Sequence, residues 1–185
     1  IMVGYACNEN DEYMPEEYRL ARDLCRYIYN VYQYDGKTQV TLDTNKNIIA
    51  IVCSFQNAKR EQLEQLITEW LDYKVDGIEI YCNPAGDWEQ GGFDADAGLT
   101  GRKLVVDNYG PRVPIGGGAY SGKDPSKVDR SAAYMARHIA VKELKDKQLK
   151  ECWVYLSYAI GRKEPLQATV KVRTPVSYTH LTLPT

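Results

Sequence analysis

Gly116-Gly117-Gly118-Ala119-Tyr120-Ser121-Gly122-Lys123-Asp124-Pro125-Ser126-Lys127-Val128-Asp129-Arg130-Ser131 is the stretch on which the reading of this chain turns. Three consecutive glycines let backbone N–H groups approach and converge on an anion, and the expectation is that they are not there for packing. Lys123, Lys127 and Arg130 add mobile or forked positive charge, and Asp124 and Asp129 are hard oxygen ligands of the kind Mg²⁺ prefers. The mixture suits a metal-bound polyphosphate. Gly117 to Lys123 follows the Walker pattern G-x-x-x-x-G-K, but Asp124 stands where that loop needs a hydroxyl, and no continuous apolar strand precedes the glycines. A Walker NTPase is therefore rejected. A solvated surface loop has the same composition, and the residues alone leave both readings open.

Around this loop the positive charge is focused rather than spread. Arg102, Lys103, Arg112, Lys123, Lys127 and Arg130 lie close in sequence, while the 185-residue chain carries a net charge of −2. That distribution favours a small anionic ligand over a nucleic acid, which would need a basic face. A hydrophobic content of 44% supports a packed core. No apolar run reaches membrane-spanning length and no signal-like segment opens the chain, so a cytoplasmic location is expected. Five cysteines, odd in number and without a C-x-x-C pair, argue against disulfide and zinc frameworks.

Upstream, apolar Ile1 to Tyr5 opens the chain, and Leu20, Leu24, Tyr27, Ile28 and Val31 recur at helical spacing over 15–32. The turn Asp35-Gly36 precedes alternating residues 37–42, and 48–54 follows as the return strand of a hairpin. A helix is expected over 58–73 and a strand over 77–81. Beyond the polar segment 83–101 the pattern predicts a strand at 103–107, a helix from Val128 to about Asp146, and strands at 151–159 and 167–172. The fold class is therefore α+β, a repeated strand-helix-strand-strand order whose second module is truncated.

The glycine stretch resembles the signature of S-adenosylmethionine synthetase (methionine adenosyltransferase), and the resemblance continues through Ala132-Ala133-Tyr134. Asp96-Ala97-Gly98-Leu99-Thr100-Gly101-Arg102-Lys103, Val106 to Gly110, Leu156 to Gly161 with Glu164-Pro165, Asp35 to Thr41 and Gly4-Tyr5-Ala6 are similar to that family too, in family order from residue 1 to about 173. The resemblance implies α+β modules repeated about a pseudo-threefold axis. Residues 1–92 would be the middle module and 93–173 the first part of the C-terminal module, with the first module absent. The tail 174–185 breaks the pattern and reads as non-native sequence outside the fold.

The same resemblance implies the chemistry: methionine sulfur attacks C5′ of ATP, and the released tripolyphosphate is cleaved to phosphate and pyrophosphate. Carried over by position, ATP-binding residues are Asp35, Gly36, Lys37, Trp88, Asp96, Arg102, Lys103, Ala119 and Lys123. Asp96 and Lys127 would meet methionine, Asp129 would bind Mg²⁺, and Arg102 and Lys123 would be catalytic, stabilising the leaving polyphosphate. A K⁺ ligand is expected in the absent module, as are a catalytic His and a second metal-binding Asp. The parent would be a homodimer or homotetramer, and this fragment inactive by itself. Asp87-Trp88 replaces the family's Arg-Phe, Phe93-Asp94-Ala95 replaces a Pro- and Gly-containing turn, and Ile115 replaces a His. His138 reads as structural. Two other readings are a nucleotide- or polyphosphate-binding module without turnover and a non-catalytic partner subunit of a full synthetase.

Overall fold

The structure is a computed structural model that describes residues 1–174 and 178–182. Its elements are β1 (Met2–Cys7), α1 (Glu16–Tyr29), β2 (Gly36–Leu42), β3 (Ile48–Phe55), α2 (Arg60–Trp70), β4 (Glu79–Cys82), α3 (Leu104–Asp107), α4 (Val128–Asp146), β5 (Glu151–Ser157), β6 (Gln167–Arg173) and β7 (Tyr178–Thr182). They divide into two units, one of residues 16–98 and one of residues 1–15 with the described residues from 99 onward.

In the 16–98 unit, β2 and β3 form the expected antiparallel hairpin and β4 pairs with β3 in parallel after the α2 crossover. The hairpin turn is closed by Asp43, whose carboxylate accepts the N–H groups of Asn45 and Asn47, each at 2.8 Å. This side-chain mimicry of a backbone turn is what Asp offers in tight loops. One face of the sheet supplies Val40, Ile51, Cys53 and Phe55 to a core completed by Leu24 and Ile28 of α1 and Leu63 and Ile67 of α2. Leu24, Ile28, Leu63 and Ile67 are all 0% exposed, and burying each is worth about 1.5–3 kcal/mol. These helical pairs at i, i+4 are the periodicity visible in the sequence.

In the second unit, β1, β5, β6 and β7 form an antiparallel sheet in that order. Alternation along β5 serves two cores: Cys152, Val154 and Leu156 face α4, whereas Trp153 packs with Val3, Tyr5, Cys7, Tyr109 and Val113. Helix α4 turns a stripe of Ala132, Ala133, Ala136 and Ala140 inward. Small side chains let the helix approach so closely that a Cβ on Gly4 of β1 would strike the Ala136 carbonyl. Arg137 finishes the anchorage by donating to the carbonyls of Tyr5 at 2.5 Å and Tyr13 at 3.0 Å.

Two sequence expectations are corrected. Residues 103–107 are not a strand; Leu104–Asp107 is a helical turn. Asn108 caps it by donating from its side-chain amide to the Leu104 carbonyl at 2.7 Å. The run carries β-branched Val105 and Val106, yet both stay exposed at 38% and 62% and neither lies in a ladder. Strand propensity expresses packing on a pleated surface, and none is offered here. The second correction concerns the tail: Tyr178–Thr182 pairs antiparallel with β6, from Thr169↔Thr182 to Arg173↔Tyr178. A strand was not legible there because backbone pairing needs only an open neighbouring edge, which β6 provides. The rest of the tail reading, residues 175–177 and 183–185, lies outside the described residues.

Candidate functional site

Within the 16–98 unit, Asp35, Gly36, Lys37 and Trp88 line one cavity of about 380 Å³ together with Ser54, Ala85, Gly86 and Asp87. The β2–β3 register sets Lys37 opposite Ser54 and Gly36 opposite Phe55. Gly36 is required because any Cβ would collide with the Phe55 ring. Gln56 ties the rim: its side-chain oxygen accepts the Asp35 N–H at 3.3 Å and its amide donates to the Glu89 carbonyl at 2.8 Å. Asp35 in turn accepts the Gly92 N–H at 3.2 Å. The cavity therefore combines an indole face, one ammonium, two carboxylates and a hydroxyl.

Among the described residues, Trp88 Nε1 is the buried side-chain polar atom with no hydrogen-bond partner. Leaving such a donor unpaired costs about 1–3 kcal/mol. A phenylalanine would not carry that cost. Asp96 does not line the cavity; it is exposed, and its N–H donates to the Gly92 carbonyl at 3.0 Å.

The second unit holds the remaining candidates. Gly101, with φ +80°, brings the Arg102-Lys103 segment against the glycine loop, since a Cβ there would come within 2.5 Å of the Ala119 Cβ. Arg102 and Lys103 are exposed, and so is Lys127 at the N-terminus of α4. Lys123 donates to Asp129 at 2.5 Å, with each side chain 33% exposed, and Arg130 donates to the Lys123 carbonyl at 2.5 Å. Asp129 stands directly behind Gly118, whose Cβ would fall 2.5 Å from the carboxylate carbon. Tyr120 hydrogen-bonds Asn108, clipping the loop to the α3 turn, and burial pushes its hydroxyl pKa up to about 12.

The three glycines prove to have separate reasons, which corrects the expectation that packing plays no part. Gly116 lies against the backbone of Ile1, Met2 and Val3, Gly118 lies against Asp129, and Gly117 has φ +146° with nothing within 4 Å of a Cβ. Asp124 is exposed and accepts the Ser126 N–H at 2.8 Å, the closure of a turn. The hydrogen bonds from Ser126 hold its carboxyl below the usual range.

Among the described residues no group of three or more His, Cys, Asp or Glu side chains could enclose a metal. Asp129 is a single carboxylate, paired with Lys123 at 2.5 Å, and one carboxylate is a donor that Mg²⁺ accepts when phosphate oxygens and water complete its shell. His138 is an exposed residue of α4.

Sequence reasoning missed Ser54, Gln56 and Asn83. A polar residue ending the apolar strand 48–55 was the available signal for Ser54; the two amides carry no local pattern. It also missed the charged cluster in which Arg112 pairs with Glu9 at 2.5 Å and approaches Glu151 at 3.6 Å, with Arg173 on the other Glu151 oxygen at 3.1 Å. Tyr5 donates to Glu151 at 2.8 Å. Burial raises the Tyr5 pKa far above that of a free phenol. No helix among the described residues is long and apolar enough to cross a membrane.

Two family models, curated relatives and a solved structure match this chain. Residues 1–88 match the S-adenosylmethionine synthetase central domain and 90–182 match the C-terminal domain. S-adenosylmethionine synthase of Kosmotoga olearia is 42% identical, over 90% of this chain and 48% of that protein. The Helicobacter pylori (strain HPAG1) synthase is 39% identical, over 99% of this chain and 53% of that one. A solved structure of an unusual S-adenosylmethionine synthetase from Campylobacter jejuni superposes with a TM-score of 0.80 at 38% identity, covering 91% of this chain and 51% of that chain. The chain thus spans about half the length of the curated relatives it matches. Domain matches over nearly the whole length, together with this fold, show that the chain belongs to the S-adenosylmethionine synthetase family.

Proposed function

We propose that this chain carries part of the substrate site of a methionine adenosyltransferase, which forms S-adenosylmethionine from ATP and L-methionine. The observation that carries the reading is the cavity shared by Asp35, Gly36, Lys37 and Trp88. Four residues named from resemblance alone, two segments apart in sequence, line one space. The indole of Trp88 offers a stacking face for the adenine, and Asp35 and Ser54 offer polar partners to the ribose.

In this reaction a lone pair on the methionine sulfur forms the S–C5′ bond while the C5′–O bond breaks and tripolyphosphate leaves with the electron pair. No covalent bond to the protein is needed. Its residues must orient the reactants and stabilise charge that grows on the leaving group. Lys123 and Arg102 take that electrostatic role, with Lys37 and Lys103 around the ATP. Asp96 and Lys127 orient methionine. Asp129 would hold Mg²⁺, which when bound supplies Lewis-acid charge to the polyphosphate oxygens. The K⁺ expected for the family has no ligand assigned in this chain. The stretches 1–92 and 93–173 are the proposed family modules, and a homodimer or homotetramer is the proposed assembly.

Calorimetric titration of the chain with ATP and Mg²⁺ tests the reading, together with assay of S-adenosylmethionine and pyrophosphate. Saturable ATP binding that weakens about tenfold or more in Lys37→Met and in Lys123→Met is expected, the scale of one charge-assisted hydrogen bond. Absence of ATP binding overturns it. Binding with no product formed is the outcome expected of part of a site, and product formed by this chain alone would overturn the description of it as only a part.

A further inference from the structure

Asn83 follows β4 and is 4% exposed, in a left-handed conformation with φ +41°. Its side chain spends its hydrogen-bonding capacity on four partners. The oxygen accepts the Phe55 N–H at 3.1 Å and the Ser54 hydroxyl at 3.3 Å. The amide nitrogen donates to the Ala58 carbonyl at 2.8 Å and to Asp87 Oδ1 at 3.1 Å. Its backbone N–H donates to Cys53, and its carbonyl accepts the Gly86 N–H at 2.8 Å.

Three of those partners, Ser54, Gly86 and Asp87, line the 380 Å³ cavity, whereas Asn83 itself does not. One buried amide therefore fixes the end of β3, the approach to α2 and the 84–88 wall relative to one another. Asn suits the place for two reasons: it tolerates positive φ, and it is both donor and acceptor. An aspartate of the same shape would keep the Phe55 and Ser54 bonds. It would also turn a carboxylate towards the Ala58 carbonyl and the Asp87 carboxylate, where two acceptors cannot bond.

We propose that Asn83 is the positioning residue of the nucleotide cavity, setting the wall that bears Asp87 and Trp88 without touching the ligand. This rests on the reading of that cavity as the ATP site. A residue that only stabilised the unit would, when changed, loosen β3 and α2 as a whole. A positioning residue loosens the wall first.

The test uses the whole chain with Asn83→Asp, Asp87→Asn and the double exchange. Amide hydrogen exchange is read at Gly86 and at Asn57, whose N–H donates to the Trp88 carbonyl, against Ile51 and Ile67 in the core. Each variant is also titrated with ATP and Mg²⁺. Asn83→Asp should speed exchange at Gly86 and Asn57 about tenfold and weaken ATP binding by a similar factor, the scale of a lost buried hydrogen bond. Core protection should stay as in the parent. The double exchange should recover part of the wall protection, because the amide introduced by Asp87→Asn then donates to the carboxylate introduced by Asn83→Asp. Uniform acceleration across β3 and α2, or unchanged protection at Gly86 and Asn57, overturns the proposal. Failure of the parent chain to bind ATP overturns the nucleotide reading, while the exchange comparison still decides whether Asn83 sets the wall.

Discussion

Replacing each glycine of the Gly116–Gly118 trio by alanine separates three physical costs that the sequence presents as one. In Gly116→Ala the new Cβ meets Met2 Cα and Val3 N at 3.1 Å and crowds the Ile1 carbonyl. All are backbone atoms of or beside β1, which cannot swing aside, so about 1–3 kcal/mol of overpacking is expected. Gly117→Ala meets nothing within 4 Å but must hold φ +146°, a strain of about 1–3 kcal/mol. Gly118→Ala meets the Asp129 carboxylate, with Cγ at 2.5 Å. That side chain can turn away, losing its pair with Lys123, and a pair 33% exposed at each end is worth only about 0.2–1 kcal/mol. The assay is urea unfolding followed by Trp153 fluorescence in a Trp70→Phe, Trp88→Phe background, so that the 1–15 and 99-onward unit alone reports. Gly118→Ala should be the mildest of the three in stability and yet weaken Mg²⁺-dependent ATP binding by displacing Asp129. Gly118→Ala as costly as Gly116→Ala would refute the reasoning, because Asp129 would then be a fixed strut rather than a movable carboxylate.

The Lys123–Asp129 pair should show a coupling of about 0.2–1 kcal/mol in a Lys123→Met, Asp129→Asn double-mutant cycle, shrinking as salt is added; a salt-insensitive coupling near 3 kcal/mol would mark a structural pair. Alkali should destabilise both units. Burial pushes the thiols of Cys53, Cys82 and Cys152 up to about 12 from 9.0. Their folded forms therefore keep protons that the unfolded chain releases, and stability is intact below pH 9 and falls as pH rises from 9 towards 12. Each thiol contributes a loss of about 1.4 kcal/mol per pH unit in that window. Urea midpoints measured from pH 7 to 10.5 check this, and a flat profile above pH 9 would contradict it.

Most elements were legible because their signals are local. Leu24 and Ile28, or Leu63 and Ile67, repeat at helical spacing within one element, and Asp43 closes its own hairpin turn. The 104–107 turn was misread because Val105 and Val106 favour strands only where a sheet receives them, and Asn108 captures the Leu104 carbonyl instead. β1 shows the same limit. Its apolar run announced a strand but not its partner, and it pairs with β5, from Met2↔Leu156 to Cys7↔Glu151, across some 150 residues of sequence. Arg112 and Glu9 could not be matched in advance for the same reason.

The order of motifs from Gly4-Tyr5-Ala6 to Glu164-Pro165 was enough, by itself, to place the chain in its family, because an ordered series of short matches has little chance origin. It also singles out Asp35, Gly36 and Lys37, which line one cavity with Trp88, a residue that departs from the family pattern. Only the tertiary structure decided why each residue of the glycine trio is glycine, which sheet β1 enters, and that the buried amide of Asn83 joins Ser54, Gly86 and Asp87. Helical period and turn chemistry are written in neighbouring residues. Close approach and hydrogen bonding between distant segments depend on atoms that the chain brings together only on folding.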